Sequence, residues 1–226
     1  TVYDSTSNGF SGVNYGAAAS SNGKIDGCKY FNSLSDYFNF GTSSLLNPGT
    51  NSWTISLWTK ISYVDSHKML QKWANSNAGF VFCLYNGWGG YNYLKVGDGT
   101  HTTYRYFSAP WSDGSWHYIT AVINRNTNVI DLYVDGILCN GGGSGSISGF
   151  GSITCSEPLL LYGGTSGWQD EFTLSKTVRS TGWIKTSYNN QNSPSSFFSL
   201  GSQEQGPGGQ SWWNANWGYR KKITID

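Results

Sequence analysis

Charge is what this chain has least of. Lys, Arg, Asp and Glu make up only 12% of its 226 residues and leave a net charge of +1. So few cations form no basic stripe, which argues against a nucleic-acid partner. No apolar run approaches the roughly 20 residues of a membrane-spanning helix. Helical periodicity is nearly absent too. The one segment that carries it is Thr181–Asn190, behind the cap residue Ser180. The chain opens at Thr1 with neither an initiator Met nor a signal peptide, as a processed chain or an excised segment would. The four cysteines, Cys28, Cys83, Cys139 and Cys155, match no CxxC metal or redox spacing. A Gly-rich loop joins Cys139 to Cys155, and a disulfide there would pin it. Cys28–Cys83 is a second possible pair, and buried free thiols are the alternative to both.

What is present points to strands. Glycine reaches 30 residues, aromatics reach 16%, and Ser, Thr and Asn are abundant. This composition suits an exported β protein better than a cytosolic enzyme. The strand expectations are Tyr37–Phe40, Trp53–Tyr63, Gly79–Tyr85, Thr102–Phe107, Trp116–Asn124, Val129–Val134, Pro158–Tyr162 and Gln169–Ser175. Asp135-Gly136 between two apolar runs is a hairpin signal, because both turn residues need a positive φ. Many short strands without a helical layer predict an all-β sandwich or barrel. The composition shifts near residue 200. Residues 1–200 read as one β domain, residues 201–210 (GSQEQGPGGQ) as a flexible linker, and residues 211–226 (SWWNANWGYRKKITID) as a β-prone tail.

The order of motifs resembles the laminin-G-like branch of the concanavalin A-like lectin/glucanase superfamily. The motifs are DSTSNGFSG at 4–12, GKIDGCKYFNSLSDYFNFG at 23–41, SWTISLWTK at 52–60, GSWHYITAVI at 114–123, LYVDGIL at 132–138, PLLLYGG at 158–164 and DEFTLSKTVRSTGWIKTSYNNQ at 170–191. The tail is similar to the start of a β domain found beside such modules in bacterial and archaeal surface proteins. The resemblance implies a two-sheet antiparallel jelly-roll and a role in glycan or protein recognition on a secreted or cell-surface protein. It also implies a structural Ca²⁺. The candidate ligand is Asp170, with Asp4, Asn8 and Asp26 adding oxygens from the N-terminal side, since a hard cation collects several oxygen ligands.

Some members of the superfamily hydrolyse glucans, which takes two carboxylates ~5–5.5 Å apart for a retaining mechanism. The three Glu here, Glu157, Glu171 and Glu204, have no acidic partner at a suitable strand spacing. Asp131 and Asp135 are four apart, but the hairpin turn claims Asp135. His67, His101 and His117 form no ligand pattern, and His117 reads as a hydrogen-bonded sheet residue. The expectation is a chain without catalysis.

Glycan recognition needs aromatic rings outside the core. Trp53, Trp58, Trp116 and Phe172 fall in the family's strand motifs and are expected inside, and Trp183 is expected to pack down from its helix. The candidate binding residues are Trp88, Tyr91, Tyr104, Trp111 and Trp168. The partner expected is a polysaccharide or surface glycan. The alternative function is a structural subunit of a filament or coat. Ile223, Thr224 and Ile225 alternate as a half-buried strand does. They are expected to fill a strand place beside Gln169–Ser175, in their own chain or in a neighbouring copy, which gives a homo-oligomer or filament.

Overall fold

The structure is a computed structural model, and it describes residues 1–62, 67–84, 92–109, 111–164, 166–205 and 219–225. The strands in chain order are β1 (Val13–Tyr15), β2 (Ala18–Ser20), β3 (Cys28–Phe31), β4 (Tyr37–Asn39), β5 (Trp53–Ile61), β6 (His67–Ala74), β7 (Ala78–Leu84), β8 (Tyr93–Asp98) and β9 (Thr102–Tyr106). They continue with β10 (Trp116–Asn124), β11 (Val129–Val134), β12 (Ile137–Leu138), β13 (Leu160–Tyr162) and β14 (Gly167–Ser175). After helices α1 (Thr181–Asn192) and α2 (Pro194–Phe197) come β15 (Phe198–Gln205) and β16 (Tyr219–Ile225).

Fourteen of these strands form two sheets of seven, with every pair antiparallel. The first runs β1-β4-β13-β6-β7-β8-β9 and the second β12-β11-β10-β5-β14-β3-β2. This is the two-sheet sandwich that the motif order implied. The predicted strands are all present, most within one or two residues of their expected ends. The short strands β1, β2 and β3, and the longer β6 and β8, were not foreseen. In β6 a register shift between Lys68 and Leu70 puts the adjacent Met69 and Leu70 both inside, and the buried Lys72 breaks the apolar pattern further.

Alternation explains the core. Trp53, Ile55, Leu57 and Ile61 of β5 are fully buried against Phe80 and Phe82 of β7 and Leu94 and Val96 of β8. The next residues along β5, including Trp58, point to the other face, because side chains alternate along a strand. Helix α1 covers that outer face of the second sheet. Its N-cap Ser180 accepts from the Trp183 N–H at 3.2 Å, and Ile184 packs with Val122 and Tyr133. Trp58 is therefore buried under the helix, where its indole N–H donates to Gln191 Oε1 at 2.5 Å, and not between the sheets. Trp116 and Phe172 are only half-buried, against the expectation of core positions. Trp183 does not pack down. It is 38% exposed, with the Arg179 guanidinium 4.3 Å from its ring.

The β11–β12 hairpin turns at Asp135 (φ 54°) and Gly136 (φ 78°), the left-handed pair that a tight two-residue turn requires. Beyond the sandwich, β15 and β16 make a separate two-stranded ribbon. The expected linker at 201–210 thus starts with strand residues up to Gln205, and the rest of it lies outside the described residues. The tail segment Tyr219–Ile225 pairs with β15 and does not fill a place beside Gln169–Ser175 of its own chain.

Candidate functional site

Among the described residues, two groups of aromatic rings stand on the outer faces of the sheets. The larger is on the outer face of the first sheet. Tyr15, Tyr37 and Tyr162 occupy matched positions on β1, β4 and β13. Tyr15 and Tyr37 stack at 4.6 Å with planes 13° apart, and Tyr162 follows at 5.7 Å from Tyr37. Gln71 of β6 donates to the Tyr162 hydroxyl at 3.1 Å. Across the sheet, Lys95 of β8 lies 4.6 Å from the Trp73 ring, and Tyr93, Tyr104 and Tyr106 of β8 and β9 sit 5.2–6.3 Å from one another. Their neighbours along each strand, Phe38, Leu161, Leu94 and Thr103, point inward and are buried, so the period of two puts the rings on one face. Tyr15 and Tyr104 are each 45% exposed.

The second surface is a row at one end of the second sheet, past the cover of α1. Tyr30, Trp168, Lys60 and Trp116 are register neighbours on β3, β14, β5 and β10. Trp168 packs 4.6 Å from Tyr30, and the Lys60 ammonium lies 5.2 Å from the Trp168 ring. All four are half-buried.

Of the five aromatic candidates, Tyr104 and Trp168 are surface residues, but on different sheets. Trp111 is not a surface residue. It is fully buried and packs edge-on at 5.5 Å against Phe107. Its Ser- and Pro-flanked position looks like a loop tip, yet the ring belongs to the core. Trp88 and Tyr91 lie outside the described residues. The tyrosines of β1, β4 and β13 were missed as a site. Their strands are three residues long, so only sheet pairing brings Tyr15, Tyr37 and Tyr162 together.

The proposed metal ligands have other work. Asp170 is buried, and its Oδ2 accepts the backbone N–H groups of Lys24 and Ile25, each at 2.9 Å, while Oδ1 accepts that of Glu171 at 3.0 Å. Burial pushes this carboxyl above the usual carboxylate range, against the lowering effect of those donors. Asp4 accepts from the Thr6 N–H and hydroxyl and from the Phe10 N–H, which hold its carboxyl below the usual range. Asn8 donates to the Thr6 hydroxyl, and Asp26 is exposed in a left-handed turn (φ 53°). Three N–H donors already share the Asp170 carboxylate, and a cation beside it would need further oxygen ligands. Among the described residues, no group of three or more His, Cys, Asp or Glu could hold a metal ion. The pairing Cys139–Cys155 is not formed, nor is Cys28–Cys83, because all four cysteines are free thiols. Cys139 Sγ instead accepts the Ala109 N–H at 3.1 Å, and Cys155 Sγ that of Glu157 at 3.3 Å.

Asp131 and Asp135, four residues apart, take different partners. Asp131 accepts from the Asn140 amide, while Asp135 accepts the Tyr118 N–H and pairs with His117 Nδ1 at 2.8 Å. His117 Nε2 also reaches Asp113 at 3.2 Å. This is the hydrogen-bonded sheet histidine that the sequence implied.

With two seven-stranded antiparallel sheets and a half-exposed aromatic outer face, the fold is that of a lectin-like sandwich. A family model described as "Concanavalin A-like lectin/glucanases superfamily" matches residues 31–177, and the chain belongs to that superfamily. The "Non-toxic nonhemagglutinin" of Paraclostridium bifermentans is 30% identical over 122 residues, covering 51% of this chain and 10% of that protein. The binding domain of Paraclostridial Mosquitocidal Protein 1 superposes with a TM-score of 0.70 at 15% identity, over 83% of this chain and 49% of that one. The receptor binding domain of a botulinum neurotoxin C/D mosaic serotype gives a TM-score of 0.63 at 16% identity, over 80% of this chain and 47% of that one. Similarity at that identity is similarity of fold. The chain spans about half the length of those solved domains and a tenth of the curated relative. No described helix is long and apolar enough to cross a membrane.

Proposed function

We propose that this chain is a non-catalytic recognition module of an extracellular protein, and that it binds glycans through the outer face of its first sheet. One observation carries the reading. The two sheets treat their outer faces differently. Helix α1 covers Trp58, Val122 and Tyr133 on the second, beyond which the row of Tyr30, Trp168 and Trp116 is half-buried, while the first has no helix over it and leaves Tyr15, Tyr37, Tyr104 and Tyr162 partly in solvent. Aromatic side chains are large apolar groups, and leaving several of them exposed on one face marks an interaction surface. Phenol hydroxyls, the Gln71 amide and the Lys95 ammonium stand among the ring carbons. That mixture suits a sugar, whose C–H faces pack on rings and whose hydroxyls take hydrogen bonds. The binding domains among the fold relatives support a role without catalysis.

The test is retention on a glycan array, comparing the intact chain with Tyr37→Ala and Tyr104→Ala. Tyr3→Ala is the control, since Tyr3 is 83% exposed and belongs to neither aromatic surface. The first two variants lose retention at unchanged melting temperature, and the control keeps it. Equal retention by all four proteins refutes the assignment of this face. Release of reducing sugar from a β-glucan, abolished by an Asp or Glu substitution, refutes the non-catalytic reading.

A further inference from the structure

We propose that the sandwich accepts a strand ribbon from a second copy of this chain, with β16 of that copy adding to the open edge of β14. The acceptor is visible in the pairing. Strand β3 accompanies β14 only over Gly167–Gln169, whereas β5 follows it on the other side to Ser175. From Glu171 to Ser175 one edge of β14 has no partner among the described strands. An open edge presents alternate N–H and C=O groups that call for an extended backbone.

Beside that edge runs a groove of about 940 Å³ between the two sheets. Phe38, Phe40, Leu159 and Leu161 line it from the first sheet, and Phe172 and Leu174 line it from β14. Phe40, Phe172 and Leu174 belong to the core by contact yet are only half-buried, because they border this groove, which Val2 and Phe10 of the N-terminal segment line as well. A small molecule would fill the groove and leave the backbone edge unpaired. An extended strand with apolar residues at alternate positions satisfies both.

The donor is the β15–β16 ribbon. It belongs to neither sheet, and a two-stranded ribbon alone is marginal in water. Leu200 stands opposite Ile223 in its register, and the two are 56% and 63% exposed, with Phe198 on the same side of β15 at 37%. This face is apolar and uncovered. The edge of β16 away from β15 is also unpaired among the described strands, so the ribbon can add as a unit without breaking its own pairing. The seven residues of β16 are long enough to span the open edge from Glu171 to Ser175. Because donor and acceptor are different surfaces, successive copies add head to tail and make an open chain of copies.

The experiment follows amide hydrogen exchange at Phe172–Lys176 in the intact chain as its concentration rises, with mass by light scattering. Exchange at these amides slows about a hundredfold when free copies exceed the dissociation constant a hundredfold, by mass action. Mass grows in parallel. Ile223→Asp abolishes both effects at unchanged melting temperature in dilute solution, since the side chain is exposed there. Ser199→Asp places the same charge on the other side of the ribbon and leaves both effects intact. A single-chain mass with concentration-independent exchange overturns the proposal, and so does Ile223→Asp associating like the unaltered chain.

Discussion

Replacing Asp170 with Ala tests whether this carboxylate is an anchor or a metal ligand. Oδ2 ties β14 to the 24–25 loop through the N–H groups of Lys24 and Ile25, across 146 and 145 residues of chain. Gly23 makes that approach possible, since a Cβ there would stand 2.7 Å from the Asp26 carbonyl and 3.0 Å from Asp170 Oδ2. Removing the acceptor leaves donors that are only half-buried, so water recovers part of the loss. Each donor left unsatisfied costs about 1–3 kcal/mol, and the substitution also relieves the burial of a charge. The net loss for the two long-range donors is therefore roughly 2–4 kcal/mol. In a chain of this size that lowers the melting temperature by about 4–16 °C. The raised folded-state pKa adds a signature. Asp170 holds its proton more tightly when folded, so its contribution to stability falls as pH rises from 3.8 through the folded value. The Ala variant lacks that slope. Calorimetry with and without chelator is the assay. Chelator leaves both proteins unchanged, because the carboxylate is bonded to N–H groups. A chelator-induced drop in the unaltered chain, absent in the variant, refutes this account, as does a loss below about 1 kcal/mol.

Three further outcomes follow from the same contacts. Trp111→Ala removes a fully buried ring and destabilises by about 3–5 kcal/mol in denaturant titration, whereas a surface residue would cost about 0.5 kcal/mol or less. The Asp135 hydrogen bond, with help from Asp113, holds the His117 pKa above its usual 6.5, so the stability from these pairs is complete below pH 6.5 and is lost as pH rises through the folded value. His117→Gln flattens the melting temperature over that window, and an unchanged pH profile contradicts the pairing. Gly136→Ala strains a turn residue at φ 78° and brings a Cβ within 3.0 Å of Lys185 Cα, so it lowers stability by about 1 kcal/mol or more. Equal melting curves would mean that the hairpin does not hold α1 closely.

Much of the sandwich was legible because its signals are local. The alternation in Trp53–Ile61 and Trp116–Asn124 names their buried faces, Asp135-Gly136 demands its turn, and Ser180 caps its helix. Each depends on residues within a few positions of one another. What only the tertiary structure decided depends on neighbours far along the chain. Trp58 and Gln71 both point outward from their strands, yet α1 buries one and leaves the other on an open face. Trp111 and Tyr104 lie seven residues apart in one aromatic stretch, but one closes the core and the other meets water. Asp170 sits where a metal ligand was expected, and the fold surrounds it with N–H donors instead. A strand's own residues set which side chains share a face. Which face meets a helix, the other sheet or solvent is set by pairing across more than a hundred residues, and no local pattern carries that information.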